Sequence, residues 1–281
     1  MSSLLSVSKA FAGLSTSRRP TREDELQEDN DALVREALTA TSLQQTAEEA
    51  VRRQTHALAL AAHELRNPLM PIRTVAALLG RATSLDQLPV LAAVVERQVM
   101  HMTRMIDDLL DAARATTGRL HVHCVRLDLR EVFDNVTDVC KPAMDARRQA
   151  FSLRIPDRAL VLEGDPVRLS QVFANILNNA SKYTPVGGTI ALDCSVNALG
   201  ESGGEVVVAV SDNGIGISPE VLPVIWEPFV QDPLAIGFSK EGLGVGLTLV
   251  RELVQAHAGT VSANSAGAGH GSQFVVVLPL A

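Results

Sequence analysis

Aromatic residues are scarce, with one Trp, one Tyr and seven Phe in 281 residues. Single-stranded nucleic acid is gripped largely by stacking on such rings, so that class of function has little to build on. A surplus of positive charge is missing too. The 25 basic and 32 acidic side chains leave a net charge of -7, which gives no drive toward nucleic acid or anionic lipid. Cys124, Cys140 and Cys194 are odd in number, far apart and without a C-x-x-C pair. That excludes a disulfide framework and a cysteine zinc site, and predicts buried thiols in a reducing compartment. No apolar run approaches the roughly 18 residues that cross a bilayer. Lys9 interrupts the one N-terminal stretch resembling a signal sequence. The expectation is a soluble, cytoplasmic protein with no membrane insertion and no nucleic-acid partner. A G-x-x-x-x-G-K-[ST] run is absent as well, which excludes a P-loop.

What is present is ordinary globular composition, 46% apolar and 20% charged, in a length suited to one large or two modest domains. The charge-dense, Pro20-containing start predicts a mobile polar leader over residues 1–30. From Asp31 the apolar residues follow helical spacing. Leu58, Ala62, Leu65, Leu69, Ile72, Ala76 and Leu79 form a heptad seam, repeated by Leu91, Val95, Gln98, Met102, Met105, Leu109 and Ala112. The short break from Gly80 to Pro89 folds these into an antiparallel hairpin, and a hairpin covers its seam most economically by pairing with a second copy as a four-helix bundle. A homodimer is therefore expected. Upstream, Leu33, Ala37, Ala40, Gln44, Ala47, Val51, Gln54 and Leu58 continue the rhythm with small or polar residues, joined to the main seam by a phase shift.

Beyond Gly118 the period changes. Strands are predicted at 121–125, 151–155, 189–196, 205–211, 260–264 and 274–278, separated by helices at 129–147, 165–182 and 243–257. The fold class is therefore α+β, with a helical domain at 31–117 and a helix-covered mixed sheet at 118–281. A hinge is expected near Thr116 to Arg119, and a mobile lid from Trp226 to Glu241.

Four features carry chemistry. The run His63-Glu64-Leu65-Arg66-Asn67-Pro68 lies mid-helix. His63 sits beside the seam where its ring should face solvent, Asn67 follows one turn later, and Pro68 and Pro71 should kink the helix. Gln171, Asn175, Asn179 and Lys182 form a polar stripe opposite Val172, Phe173, Ile176 and Leu177, suited to magnesium and phosphate. Asp212-Asn213-Gly214-Ile215-Gly216 follows a strand, placing a carboxylate where it can accept from an adenine amino group. Gly242, Gly244 and Gly246 open a helix whose amides favour phosphate. His121 and His123 share a predicted strand face, but no further ligand converges on them.

In this order the features resemble the sensor histidine kinases over about residues 45–281: an H-box at His63, an N-box from Gln171 to Thr184, a G1-box at Asp212, an F-box at Glu227-Pro228-Phe229 and a G2-box at Gly242. The resemblance implies a dimerisation and histidine-phosphotransfer hairpin followed by a GHKL-type α/β sandwich that binds ATP. It implies that His63 accepts the γ-phosphoryl group, that Glu64 takes the other ring proton and that Asn67 polarises the phosphoryl group or a hydrolytic water. Asn179 with Asn175 would hold Mg2+, Lys182 and Tyr183 would meet the phosphates, and Asp212, supported by Ser272, would read adenine. Gly214, Gly216, Gly242, Gly244, Gly246 and Phe229 would shape the pocket and its lid. The implied partner is a separate response regulator, dephosphorylated as well as phosphorylated, with a separate input protein because no sensory or receiver domain is recognised within the sequence.

Two rival readings are a GHKL ATPase of the gyrase or mismatch-repair kind and a phosphotransfer scaffold with a decayed ATP site. The ATPases carry a Glu one turn before the magnesium Asn. Asn175 holds that place here and cannot serve as a base near neutral pH.

Overall fold

The computed structural model describes residues 22–79, 88–115, 122–198, 204–238 and 243–281. The chain divides after Leu58 into two compact units. Helix α1 (Arg22–Leu79) begins in the first and ends in the second. Residues 22–30 are thus helical rather than part of a mobile leader; the leader's remaining residues lie outside the described ones. The reason is legible locally, since no Pro or Gly intervenes between Arg22 and Asn67 and Glu23, Asp24 and Glu25 sit at the positive end of the helix dipole. The helix also continues through Pro68 and Pro71 instead of breaking. Each proline still leaves one carbonyl, of Glu64 and of Asn67, without its helical N–H.

Helix α2 is Leu88–Ala115; the expected hinge at Thr116 to Arg119 lies outside the described residues. Within one chain the α1 seam divides. Ala61 and Val75 are buried and Leu65 and Ile72 half-buried, whereas Ala62, Leu69, Ala76 and Leu79 remain open. A heptad stripe spans two neighbouring faces, and a lone hairpin covers only one of them. For most of the upstream stripe, from Leu33 to Leu58, the side chains lie outside the described residues. Among the described residues no helix is long and apolar enough to cross a membrane.

The remainder is a helix-covered sheet. Strand β1 (Val125–Asp128) leads into α3 (Leu129–Ala146), followed by β2 (Ala150–Arg154), β3 (Val161–Gly164) and α4 (Pro166–Tyr183). Then come β4 (Thr189–Ala198), β5 (Gly204–Asp212), a 3-10 turn at Leu222–Val224, α5 (Pro233–Phe238), α6 (Gly246–Ala256), β6 (Thr260–Asn264) and β7 (Ser272–Pro279). The five-stranded sheet has the order β2-β4-β5-β7-β6, antiparallel except for β2 beside β4. Alternation explains its one-sided core: Val206, Val208 and Val210 of β5 and Phe274, Val276 and Leu278 of β7 are buried with Leu169, Phe173, Leu249 and Leu253 from the helices. Phe133 of α3 meets Phe173 of α4 edge to face at 5.0 Å.

The first strand starts later than predicted. β1 pairs antiparallel with β3, Leu127 opposite Leu162, and Leu127 packs on the core. His123 precedes the strand and is exposed, so it is not on the predicted strand; His121 lies outside the described residues. Cys124 is exposed, against expectation, because it too lies ahead of β1, whereas Cys140 and Cys194 are buried. Burial pushes the Cys194 thiol up to about 11.

Asp165 secures the start of α4. Its Oδ1 accepts from the amides of Val167 at 3.0 Å and Arg168 at 3.2 Å, and its Oδ2 from His123 at 3.0 Å. Its own N–H donates to Nε2 of buried His257 at 2.9 Å, while His257 Nδ1 lies 2.7 Å from the Leu253 carbonyl. That network assigns the proton to Nδ1. Burial works to raise the Asp165 pKa, but the amides of His123, Arg168 and Val167 and the Arg168 charge outweigh it and hold it below the ordinary value. Asp165→Ala is expected to cost ~1 kcal/mol, the usual value of an N-cap. Because the folded pKa is depressed, the carboxylate's contribution is complete above the ordinary carboxylate pKa and disappears as pH falls through the depressed one. Urea denaturation of both proteins across the acid range checks this: the two curves should converge as the pH drops.

Candidate active site

A cavity of about 320 Å³ opens between α4, the end of β5, the α5 segment and the start of α6. It is large enough for a compact ligand. The structure brings together at its wall Asn175, Asn179, Lys182, Tyr183, Asp212, Gly216, Gly244, Gly246 and Ser272, nine of the residues expected to bind nucleotide. Gly242 lies outside the described residues. Gly214 stands behind the wall, its amide donating to Asp212 Oδ1 at 2.8 Å. Phe229 is also away from the wall.

On this wall, Asp212 Oδ2 accepts a short hydrogen bond from Ser272 Oγ, and residues 212 and 272 are paired across β5 and β7. Burial raises the Asp212 pKa, partly countered by the Ser272 hydroxyl and the amides of Gly214 and Ser272. Phe274, Ile217, Val221 and Ile225 line the same cavity, adding apolar surface to a wall that carries a carboxylate. Also on the wall, Lys182 Nζ donates to the Tyr183 hydroxyl at 2.8 Å and lies 4.6 Å from the ring centre. Helix α6 begins on this wall at Gly246, and its N-cap residue Val245 offers the first-turn amides no side-chain acceptor. The Asn175 amide nitrogen is buried with no hydrogen-bond partner among the described residues, and the Asn175 and Asn179 carbonyl oxygens are hard donors of the kind Mg2+ takes. No group of three or more His, Cys, Asp or Glu that could hold a metal occurs among the described residues. A cation here would therefore rely on ligand phosphates for most of its coordination.

Sequence reasoning missed the loop between β6 and β7. Ser265 Oγ accepts from the Ile217 amide at 3.0 Å and donates to the Gly271 carbonyl at 2.7 Å, and the Gly269 amide donates to the Ile215 carbonyl at 2.7 Å. Gly271 has φ +68°, and a Cβ there would overlap the Asp212 carbonyl oxygen. Only glycine permits that approach. The run of alternate glycines at Gly267, Gly269 and Gly271 was the available signal.

Met105 of α2 was missed as a wall residue. It lines the cavity and packs with Ala61, Leu243 and Val245, joined by Leu65, Leu109 and Phe229. Phe229 holds φ +66° and donates its amide to the Gly244 carbonyl at 2.9 Å. The described part of the segment expected to be a lid thus joins this cluster through Phe229.

His63 occupies helical backbone in α1, and its side chain lies outside the described residues. Its neighbour Glu64 is buried, accepting from Asn67 Nδ2 at 3.3 Å, and Asn67 is exposed.

Comparison with known proteins agrees with this arrangement. Residues 164–281 match the histidine kinase-, DNA gyrase B- and HSP90-like ATPase family, and residues 53–118 match the His Kinase A (phospho-acceptor) domain. The chain belongs to the sensor histidine kinases. It is 34% identical over 233 residues to the adaptive-response sensory kinase SasA of Synechococcus sp. (strain JA-3-3Ab), covering 79% of this chain and 58% of that one. It is 30% identical over 223 residues to the alginate biosynthesis sensor protein KinB of Pseudomonas aeruginosa, covering 78% and 36% respectively. It thus spans less than two thirds of the length of these relatives. Among solved structures, full-length ShkA in complex with AMPPNP is similar at 26% identity and TM-score 0.58, over 80% of this chain and 46% of that one.

Proposed function

We propose that the chain is an ATP-dependent protein histidine kinase which phosphorylates itself on His63 and passes the phosphoryl group to an aspartate of a response regulator. The observation that carries this reading is the single cavity uniting Asp212, Ser272, Asn179, Lys182 and the start of α6, in a chain whose α1 carries the H-box. Residues 31–117 serve as the dimerisation and phosphotransfer domain and residues 118–281 as the ATP-binding domain.

Adenine lies against the apolar part of the wall with its amino group toward Asp212, and the triphosphate points toward Lys182 and α6. Phosphoryl transfer asks a protein mainly for positioning and charge neutralisation. Asn179, with Asn175, would hold Mg2+, which when bound offsets charge on the phosphates. A ring nitrogen of His63 bonds to the γ-phosphorus as the bond to the ADP oxygen breaks, and Glu64 takes the proton from the other ring nitrogen. Asn67, one turn on, orients the phosphoryl group, or a water when the regulator is dephosphorylated. Among the described residues the only acidic side chains on the cavity wall are Asp212 and Asp232. Asp212 is engaged by Ser272 and Gly214, and Asp232 by Ser218 and Leu234, which favours a kinase over an ATPase needing a base for water.

The partner surface is the open half of the hairpin seam, where Leu69 is 49% and Leu79 46% exposed. A second copy covers it as a four-helix bundle. A response regulator and an input protein are the further partners. Incubation with γ-labelled ATP tests the reading. Acid-labile, base-stable label on the chain is expected; free phosphate alone would mark an ATPase, and neither product a scaffold.

A further inference from the structure

Helix α4 ends at Tyr183, one residue before Thr184-Pro185. The last carbonyls of a helix lack intrahelical donors. The deficit is specific here, because the residue that would serve the Ser181 carbonyl is Pro185, which has no N–H. Gln149 replaces it. Its Nε2 donates to the carbonyls of Ser181 and Thr184, both at 2.8 Å, and its Oε1 accepts from Ser181 Oγ at 2.8 Å. Gln149 is buried. It is aimed inward by the left-handed turn that closes α3. Arg148 has φ +54°, and the amides of both Arg147 and Gln149 donate to the Met144 carbonyl, at 3.1 and 2.9 Å. Arg147 Nη2 adds a bond to the Thr184 carbonyl at 2.9 Å.

The turn held in this way carries two parts of the cavity. Lys182 and Tyr183 lie on its wall, and the Tyr183 carbonyl accepts from the Ile215 amide at 3.1 Å, with Gly214 packed so closely that a Cβ would overlap that carbonyl. We infer that Gln149 is a positioning residue for the phosphate end of the nucleotide site, fixing Lys182 and Tyr183 through the end of α4. This rests on the nucleotide reading given above. Gln149 itself is not on the cavity wall. Its loss acts on the phosphates and leaves the adenine end, built on Asp212 and Ser272, in place.

Calorimetric titration of the full chain with ATP and with adenosine separates positioning from mere stability. Gln149→Leu keeps the bulk and removes every side-chain hydrogen bond, so ATP affinity should fall about tenfold, ~1.4 kcal/mol, while adenosine affinity stays within about twofold. Ser181→Ala removes one leg of the network with a smaller change to the helix end, and should shift ATP about two- to threefold with adenosine unmoved. This second variant decides the matter if Gln149→Leu does not fold. A lowered melting temperature with unchanged ATP affinity, or equal losses for ATP and adenosine, would overturn the inference. A wild-type chain that binds neither compound would remove the nucleotide reading and this inference with it.

Discussion

Replacing His63 by Gln is expected to abolish covalent labelling from γ-labelled ATP while leaving ATP affinity within about twofold of wild type. Glutamine fills similar space, but its amide nitrogen is not nucleophilic and cannot replace an imidazole whose second nitrogen sheds a proton during attack. The nucleotide should not register the change, because the cavity wall is built from α4, β5, β7, the α5 segment and the start of α6, with Met105 as the α2 contribution. Gln also forms helices readily, so α1 should persist through the substitution. Labelling and equilibrium nucleotide binding on the same preparation give the answer. Residual acid-labile label in the variant would place the acceptor on another residue. A large loss of ATP affinity would show that His63 belongs to the nucleotide site itself.

The separation of roles on which that expectation rests is partly readable in the amino-acid sequence alone. Val206, Val208 and Val210 announce a one-faced strand through a period of two, and Val172, Phe173, Ile176 and Leu177 announce the buried face of α4 through a helical period, so the polar stripe opposite them can be assigned at once. Four-residue β3 cannot be seen in this way. Val161 and Leu162 followed by Glu163 and Gly164 are too few to alternate, and the strand exists because β1 pairs with it. The left-handed residue before Gln149 is an arginine rather than a glycine, so nothing local flags that turn. Met105 reads in the sequence only as one member of a heptad seam; its place on the cavity wall depends on packing against Leu243 and Val245, about 140 residues away. The open half of the α1 seam is a similar case. The stripe is legible, but which of its two faces a single chain covers is decided by the hairpin and not by the spacing.

Asp212→Asn should weaken ATP binding by about two orders of magnitude, ~2.7 kcal/mol, and leave folding stability equal to wild type or higher. The two effects have one origin. Burial raises the Asp212 pKa, so the folded state resists the ionised form and holding that charge at neutral pH works against folding. Protonation as pH falls through the raised value relieves that cost, and an uncharged Asn relieves it at every pH. The framework can tolerate the amide. Its oxygen keeps the Gly214 amide, and the Ser272 hydroxyl can rotate to accept from the new NH2 where it now donates. The ligand cannot adapt in this way, because the adenine amino group would meet a second donor in place of an acceptor. A purine with a carbonyl at that position would instead be matched, so discrimination between ATP and inosine triphosphate should collapse in the variant. Wild-type ATP affinity should fall on acidification before an ordinary carboxylate would titrate, whereas Asp212→Asn should remain weak and flat over the same range. Titrating both nucleotides against both proteins across pH supplies the check. If Asp212→Asn bound ATP as wild type does, or kept its preference for adenine, Asp212 would not be the group that reads the base.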